Sequence, residues 1–114
     1  MLGVDVVDIG RLRSRLERSP RLERRLFTDA ERAYCAATSD PVVNMAGTLA
    51  AKEAVIKALR LGPLVAWAAR VEIIREESGA PRARVRVTPP PGTVEISISH
   101  DAGVAIAVAL ALRS

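Results

Sequence analysis

Aromatic side chains are nearly missing from this chain, with Phe27, Tyr34 and Trp67 its only three. Proteins that hold single-stranded nucleic acid interleave stacking rings with basic residues, and without that pattern no nucleic-acid partner is expected. Cysteine is equally sparse. Cys35 is alone and cannot close an internal disulfide, and with a single histidine in the sequence there is no Cys/His zinc cluster. Its apolar flanks mark it as a packing residue rather than a nucleophile. No apolar run approaches the roughly 18 residues that a membrane span needs. The stretch from Leu2 to Ile9 is short, carries acids, and lacks the basic segment and cleavage site of a secretory signal. A soluble, cytoplasmic protein with no membrane contact is the expectation.

What is present suffices for a core. Apolar residues fill 49% of 114 positions, which excludes a disordered tail and fits one domain spanning 1–114. A domain of this size has a real core but little room for a deep cleft, so a second subunit is expected to help form one. The net charge of +4 is uneven: Arg11, Arg13, Arg15, Arg18, Arg21, Arg24 and Arg25 crowd a short span whose only acids are Glu17 and Glu23. That end of the molecule should attract an anionic partner, whether nucleic acid, lipid, phosphorylated cofactor or acidic protein.

Residues 2 to 9 predict a strand entering the core, interrupted by Asp5, a carboxylate that must lie on a wet face or be held by a partner. Arg11 to Arg18 predicts a short exposed helix, and a second follows Ser19-Pro20 with Leu22, Leu26 and Phe27 as its stripe. Thr28 opens T-D-A-E, a capping box whose reciprocal acceptor is Glu31, giving that acid a structural role. Ser39-Asp40-Pro41 starts the main helix, with Ser39 or Asp40 as cap, and Gly62-Pro63 ends the helical region. Val71 to Ile74 and Ala83 to Thr88 predict a hairpin around Ser78-Gly79-Ala80-Pro81. After the break at Pro89 to Gly92, Thr93 to Ser99 and Val104 to Leu112 predict two more strands. The last alternates large aliphatics with Ala105, Ala107, Ala109 and Ala111, and its alanine face suits close packing on the main helix or on another subunit. The order predicts an α+β domain, helices packed on a largely antiparallel sheet.

The main helix is the centre of this arrangement. From Asn44 to Leu59 it reads NMAGTLAAKEAVIKAL, with alanines and a glycine that let neighbours approach closely. Lys52, Glu53 and Lys57 stand among them, costly there unless paired, reaching for solvent or facing a ligand. Glu53 and Lys57 are four residues apart and share a face, which by itself is ordinary helix surface.

Asp5, the Lys52-Glu53 pair with Lys57, and a turn at Ser97-Ile98-Ser99-His100 lie far apart, but they belong to five ordered blocks. These are G-V-D-V-V-D-I-G-R at 3 to 11, F-T-D-A-E-R-A-Y-C at 27 to 35, A-G-T-L-A-A-K-E-A-V-I-K-A at 46 to 58, V-E-I at 71 to 73 and S-I-S-H at 97 to 100. Over nearly the whole chain, in order and length, they resemble the phosphopantetheinyl transferases, specifically the holo-(acyl-carrier-protein) synthase group. The resemblance implies transfer of 4′-phosphopantetheine from coenzyme A to a serine of an apo acyl carrier protein, with 3′,5′-ADP leaving, in fatty-acid or polyketide biosynthesis. It further implies a homotrimer with active sites at the subunit interfaces.

The resemblance also implies roles for residues. Asp5 and Glu53 are the expected ligands of a magnesium ion and, with Lys57, the expected catalytic set. Lys52, Lys57, Ser99 and His100 are expected at coenzyme A. Arg11, with Arg21, Arg24 and Arg25, is expected to seat the acidic carrier protein. The residue chemistry agrees, since magnesium takes one or two carboxylates and completes its shell with water and phosphate oxygens. The base that receives the serine proton is left open among Glu53, Asp5 and a metal-bound water. The chain departs from the family's pattern twice. Thr48 stands where an arginine is common, with Arg60 the candidate to replace it, and the usual glycine-rich turn after the helix is reduced to Arg60-Leu61-Gly62-Pro63. Two rivals remain: a non-catalytic coenzyme A or carrier-protein binding module, which would not need Asp5 and Glu53 to meet, and a basic nucleic-acid module with salt-dependent binding and no metal site.

Overall fold

The structure, a computed structural model, describes residues 1–112. A first strand β1 (Leu2–Asp8) leads into four helices, α1 (Ile9–Arg18), α2 (Pro20–Leu26), α3 (Asp29–Ala36) and α4 (Pro41–Leu59). A single turn of helix, α5 (Leu64–Trp67), precedes β2 (Val71–Arg75), β3 (Pro81–Val85), β4 (Val94–Asp101) and β5 (Val104–Ala111). All described strand pairs are antiparallel. They divide into a three-stranded sheet, β1-β5-β4, and the separate hairpin β2-β3, where the alternation alone suggested one sheet. Two further differences are local. The S-I-S-H segment is no turn but lies within β4, which continues through Asp101. The turn is Ala102-Gly103, with φ of 50° and 80°, the positive values a two-residue hairpin of the primed type requires.

Helix α4 lies across the three-stranded sheet and is apolar on nearly its whole circumference. Ala50, Ala51, Ala54, Val55, Ile56 and Ala58 are buried, and the sheet presents Ala105, Ala107 and Ala109, also buried. The alanine face of the last strand thus packs on the main helix, as its small side chains suggested. The closest approach is at Gly3. A Cβ there would stand 2.0 Å from the carbonyl oxygen of Ala54 and 2.8 Å from the nitrogen of Ala58, so the main chains of β1 and α4 meet with no side chain between them.

The opposite face of the sheet carries the large aliphatics. Register pairs Leu2 with Leu110, Val4 with Val108 and Val6 with Ile106, and all six side chains are exposed. Leu2 and Val6 are 67% and 57% accessible, which makes this face a broad uncovered apolar surface.

Helix ends follow the sequence in part. The Thr28 and Glu31 capping box is formed. Asp40 occupies the N-cap position of α4 without a side-chain bond to the helix, and pairs instead with Arg13 at 3.3 Å. Arg60 ends α4 in the left-handed region, φ 55°, and lets the Leu61 N–H bond the Ile56 carbonyl at 3.0 Å. Among the described residues no helix is long and apolar enough to cross a membrane.

Candidate active site

Alternation along β1 turns Gly3, Asp5 and Val7 toward α4, and the Gly3 contact brings this strand hard against the helix face bearing Glu53 and Lys57. Lys57 Nζ reaches across to Asp5 Oδ1 at 2.9 Å and to the Val4 carbonyl at 3.1 Å. Glu53 lies beside them, its carboxyl pushed up by burial and then by the Asp5 charge, with Lys57 partly opposing the rise. Two carboxylates therefore face one another closely enough to repel, with one lysine between strand and helix. Asp5, Glu53, Asp8, Arg11 and Arg15 share a cleft of about 230 Å³, floored by apolar residues including Leu12 and Leu49. Asp8 caps α1 by accepting the Arg11 N–H at 2.8 Å, which seats Arg11 at the cleft wall.

Of the expected site residues, the structure brings together Asp5, Glu53, Lys57 and Arg11. Asp8 and Arg15 join them unforeseen: in the sequence Arg15 is one of many arginines, and the helix places it one turn above Arg11, while Asp8 acts as the cap of that helix. Arg21, Arg24 and Arg25 are exposed on α2, and Arg21 and Arg24 border a different groove with Glu23 and Arg32. Ser99 and His100 lie on β4, two strands from Asp5 with β5 between, or about 10 Å across the sheet. As strand neighbours they point to opposite faces: Ser99 joins the exposed aliphatic face opposite Ile106, and His100 lies opposite Ala105 on the helix-facing side.

Lys52 corrects an expectation. Expected with Lys57 at the coenzyme, it is instead entirely enclosed, its ammonium 2.6 Å from Glu31 Oε1 and 5.9 Å from the centre of the Phe27 ring. Burial pulls its proton affinity down, and Glu31 opposes that. Glu31 is fully committed as well: Oε1 also accepts from the Thr28 N–H at 2.8 Å, and Oε2 accepts from the Ile73 N–H at 2.8 Å. This network ties α3, α4 and β2 together inside the protein and leaves neither charge for a ligand.

Position 48 and its surroundings also differ from expectation. Thr48 is buried and accepts a long bond, 3.4 Å, from Arg75 Nη2. Arg60 cannot stand in for an arginine there, because twelve residues of helix separate the two by about 18 Å. Cys35 is completely buried nearby and its thiol is raised by burial, consistent with packing.

The family profile of the 4'-phosphopantetheinyl transferase superfamily matches residues 1–109. The chain belongs to that superfamily. Among relatives within it, the holo-(acyl-carrier-protein) synthase of Chlorobaculum tepidum is 42% identical over 103 residues, covering 88% of this chain and 87% of that protein. The one from Moorella thermoacetica is 47% identical over 81 residues, covering 70% of this chain and 62% of that protein. In three dimensions the chain resembles the Helicobacter pylori holo-(acyl-carrier-protein) synthase, solved in complex with coenzyme A, with a TM-score of 0.83 at 29% identity, covering 98% of this chain and 100% of that one. The Bacillus anthracis enzyme superposes with a TM-score of 0.84 at 26% identity, covering 99% and 96%. This transferase fold is the α+β arrangement of helices on antiparallel strands described above.

Proposed function

We propose that this chain is a holo-(acyl-carrier-protein) synthase, acting as one domain across 1–114 and moving 4′-phosphopantetheine from coenzyme A to a carrier-protein serine in fatty-acid biosynthesis. The observation that carries it is the meeting of Asp5 and Glu53 across strand and helix, with Lys57 beside them, in a chain whose family and relatives have that activity. A non-catalytic binding module has no use for two carboxylates held together against their own repulsion.

The donor set fits magnesium: two carboxylates facing a cleft, with the remaining positions left to water and substrate oxygens. Asp5 and Glu53 would hold the ion, and when bound it supplies charge neutralisation on the pyrophosphate. In the reaction the serine oxygen bonds to the phosphorus carrying pantetheine, the bond from that phosphorus to the bridging oxygen breaks, and 3′,5′-ADP departs with the bridging oxygen. Lys57, now on Asp5, is placed to turn its ammonium to those phosphates, worth more in a cleft than in water. An oxygen of Glu53 not engaged by the ion would receive the serine proton, since Asp5 is already occupied by Lys57. Arg11 and Arg15 at the cleft wall, with Arg21, Arg24 and Arg25 along α2, form the positive surface that would steer an acidic carrier toward the cleft.

The exposed aliphatic face of the β1-β5-β4 sheet supports a homotrimer, since it is too apolar to be left to water. Assembly on that face would bring Ser99, which joins it, to an interface, where Ser99 and the neighbouring His100 at the strand end would serve coenzyme A together with Asp5 and Glu53 of another copy.

The test is mass spectrometry of apo acyl carrier protein incubated with the chain, coenzyme A and magnesium. A pantetheinyl mass gain that disappears with Asp5→Ala or Glu53→Ala is expected. Coenzyme A binding without any mass gain, on fatty-acid and polyketide carriers alike, would establish the binding-module alternative. Sedimentation should give three times the chain mass, and a monomer would remove the interfacial site.

A further inference from the structure

Among the described residues, Arg75, the last residue of β2, is the one charged side chain with a buried nitrogen that lacks a hydrogen-bond partner. Its guanidinium is half-buried between α3 and α4, 5.4 Å from the centre of the Tyr34 ring, with Nη2 making only the long bond to Thr48 Oγ1. Among the described residues no carboxylate lies within 4.0 Å of it, whereas Arg13, Arg32 and Arg84 each have one. Nε is buried and has no hydrogen-bond partner, alone in that respect among described side-chain nitrogens and oxygens. Arginine cannot discharge itself by losing a proton, so a half-buried guanidinium with an orphaned N–H and no counter-charge is suited to an anion from outside the chain.

The place of that anion follows from the packing. Gly47 of α4 lies against both Arg75 and β4: a Cβ there would be 3.8 Å from Arg75 Nη2 and 3.0 Å from Ile98 Cγ2. Ile98 belongs to S-I-S-H, and His100 is the next residue on the same face of β4, exposed, about 7 Å further along the strand. Arg75 and His100 thus border the same part of α4, from β2 and β4. Thr48, buried beside the guanidinium, offers it only the hydroxyl of that long bond.

We propose that Arg75 is a phosphate-binding residue for coenzyme A, supplying a cationic contact from β2 beside position 48. The assignment rests on the coenzyme A function argued above. Tyr34 and the Thr48 hydroxyl position the guanidinium, and Gly47, without a Cβ, lets Ile98 of β4 pack close to α4 beside it. The phosphate is either the 3′-phosphate of the ribose or part of the pyrophosphate, and the two are separable because dephospho-coenzyme A lacks the first.

The experiment is steady-state transfer with coenzyme A as the varied substrate, on wild type, Arg75→Met and the double variant Arg75→Met/Thr48→Arg. In Arg75→Met, KM for coenzyme A should rise roughly tenfold or more, the size of a lost charge-assisted contact, while kcat and KM for the carrier stay within about twofold. The double variant should regain most of the loss, which a purely structural arginine would not allow. With dephospho-coenzyme A, disappearance of the wild-type advantage assigns the contact to the 3′-phosphate, and its persistence assigns it to the pyrophosphate. If wild type transfers and Arg75→Met has an unchanged KM for coenzyme A, the proposal is overturned and the enzyme function stands. A lowered melting temperature with unchanged KM would likewise reduce Arg75 to a packing role. If wild type neither transfers nor binds coenzyme A by calorimetry, both fall together.

Discussion

Lys52 and Lys57 stand five residues apart on one helix, each holding a carboxylate from another element, yet they sit in opposite environments. The Lys52 and Glu31 side chains are both at 0% exposure, and the remaining acceptor capacity of Glu31 is used by backbone N–H groups of Thr28 and Ile73. Lys57 is about half exposed, Asp5 is at 17%, and the neighbouring Glu53 lies near enough to Asp5 to feel its charge. The first pair is closed: every oxygen has a partner, and the charges hold three elements in register. The second is open, with negative charge in excess of positive. A helix can thus carry structural and reactive ion pairs on adjacent turns, and what distinguishes them is the satisfaction of the carboxylates rather than the spacing of the lysines.

The contrast can be broken most forcefully at the closed pair. Lys52→Met leaves Glu31 charged and enclosed, and should cost about 3–5 kcal/mol in urea unfolding. Adding Glu31→Gln to that variant should recover part of the loss. A loss below about 1 kcal/mol for Lys52→Met would show that water reaches Glu31 and that the pair is not closed. At the open cluster, Asp5→Asn should leave unfolding nearly unchanged but lower the transfer rate by roughly 10²–10³, comparable to removing a group that stabilises transition-state charge. Loss of stability without loss of rate would invert the comparison.

Lys57→Ala should have a smaller effect on both axes. The pair is exposed on the lysine side, so its removal should change stability by no more than about 1 kcal/mol, while kcat falls roughly tenfold. The smallest expected effect is the pH dependence of Glu53. Its folded carboxyl is raised above the ordinary value of about 4.3, so within the window between the two the native state binds more protons than the unfolded state. Stability must then fall as pH rises through that window. Without divalent ions, Glu53→Gln should therefore be the more stable protein above the window and lose its advantage below it, measured as urea midpoints across a pH series. Equal midpoints at neutral pH would mean that Glu53 is not strained in the fold.

Much of this was readable in the chain, in proportion to how local the determinant is. The capping box at Thr28 and Glu31 is a contact between residues three apart, and T-D-A-E announces it. That the same glutamate would also hold Lys52, twenty-one residues on, is invisible to any local pattern. Lys52 was therefore expected at the ligand when it is in the core. Asp5 and Glu53 were recognisable only through the ordered blocks around them, because the strand-to-helix approach that unites them depends on Gly3. Ser97 to His100 reads as a turn in the sequence, yet pairing with β5 carries the strand on through Asp101. Arg75 gave no signal at all. At the end of a strand it looks like any exposed basic residue, and only the absence of a counter-charge in three dimensions sets it apart.

At Gly3 the spacing between strand and helix is fixed by peptide groups, which every amino acid contributes alike. The ruler itself tolerates no drift: one added methyl group at position 3 would part the two carboxylates while leaving every charged residue of the site in place.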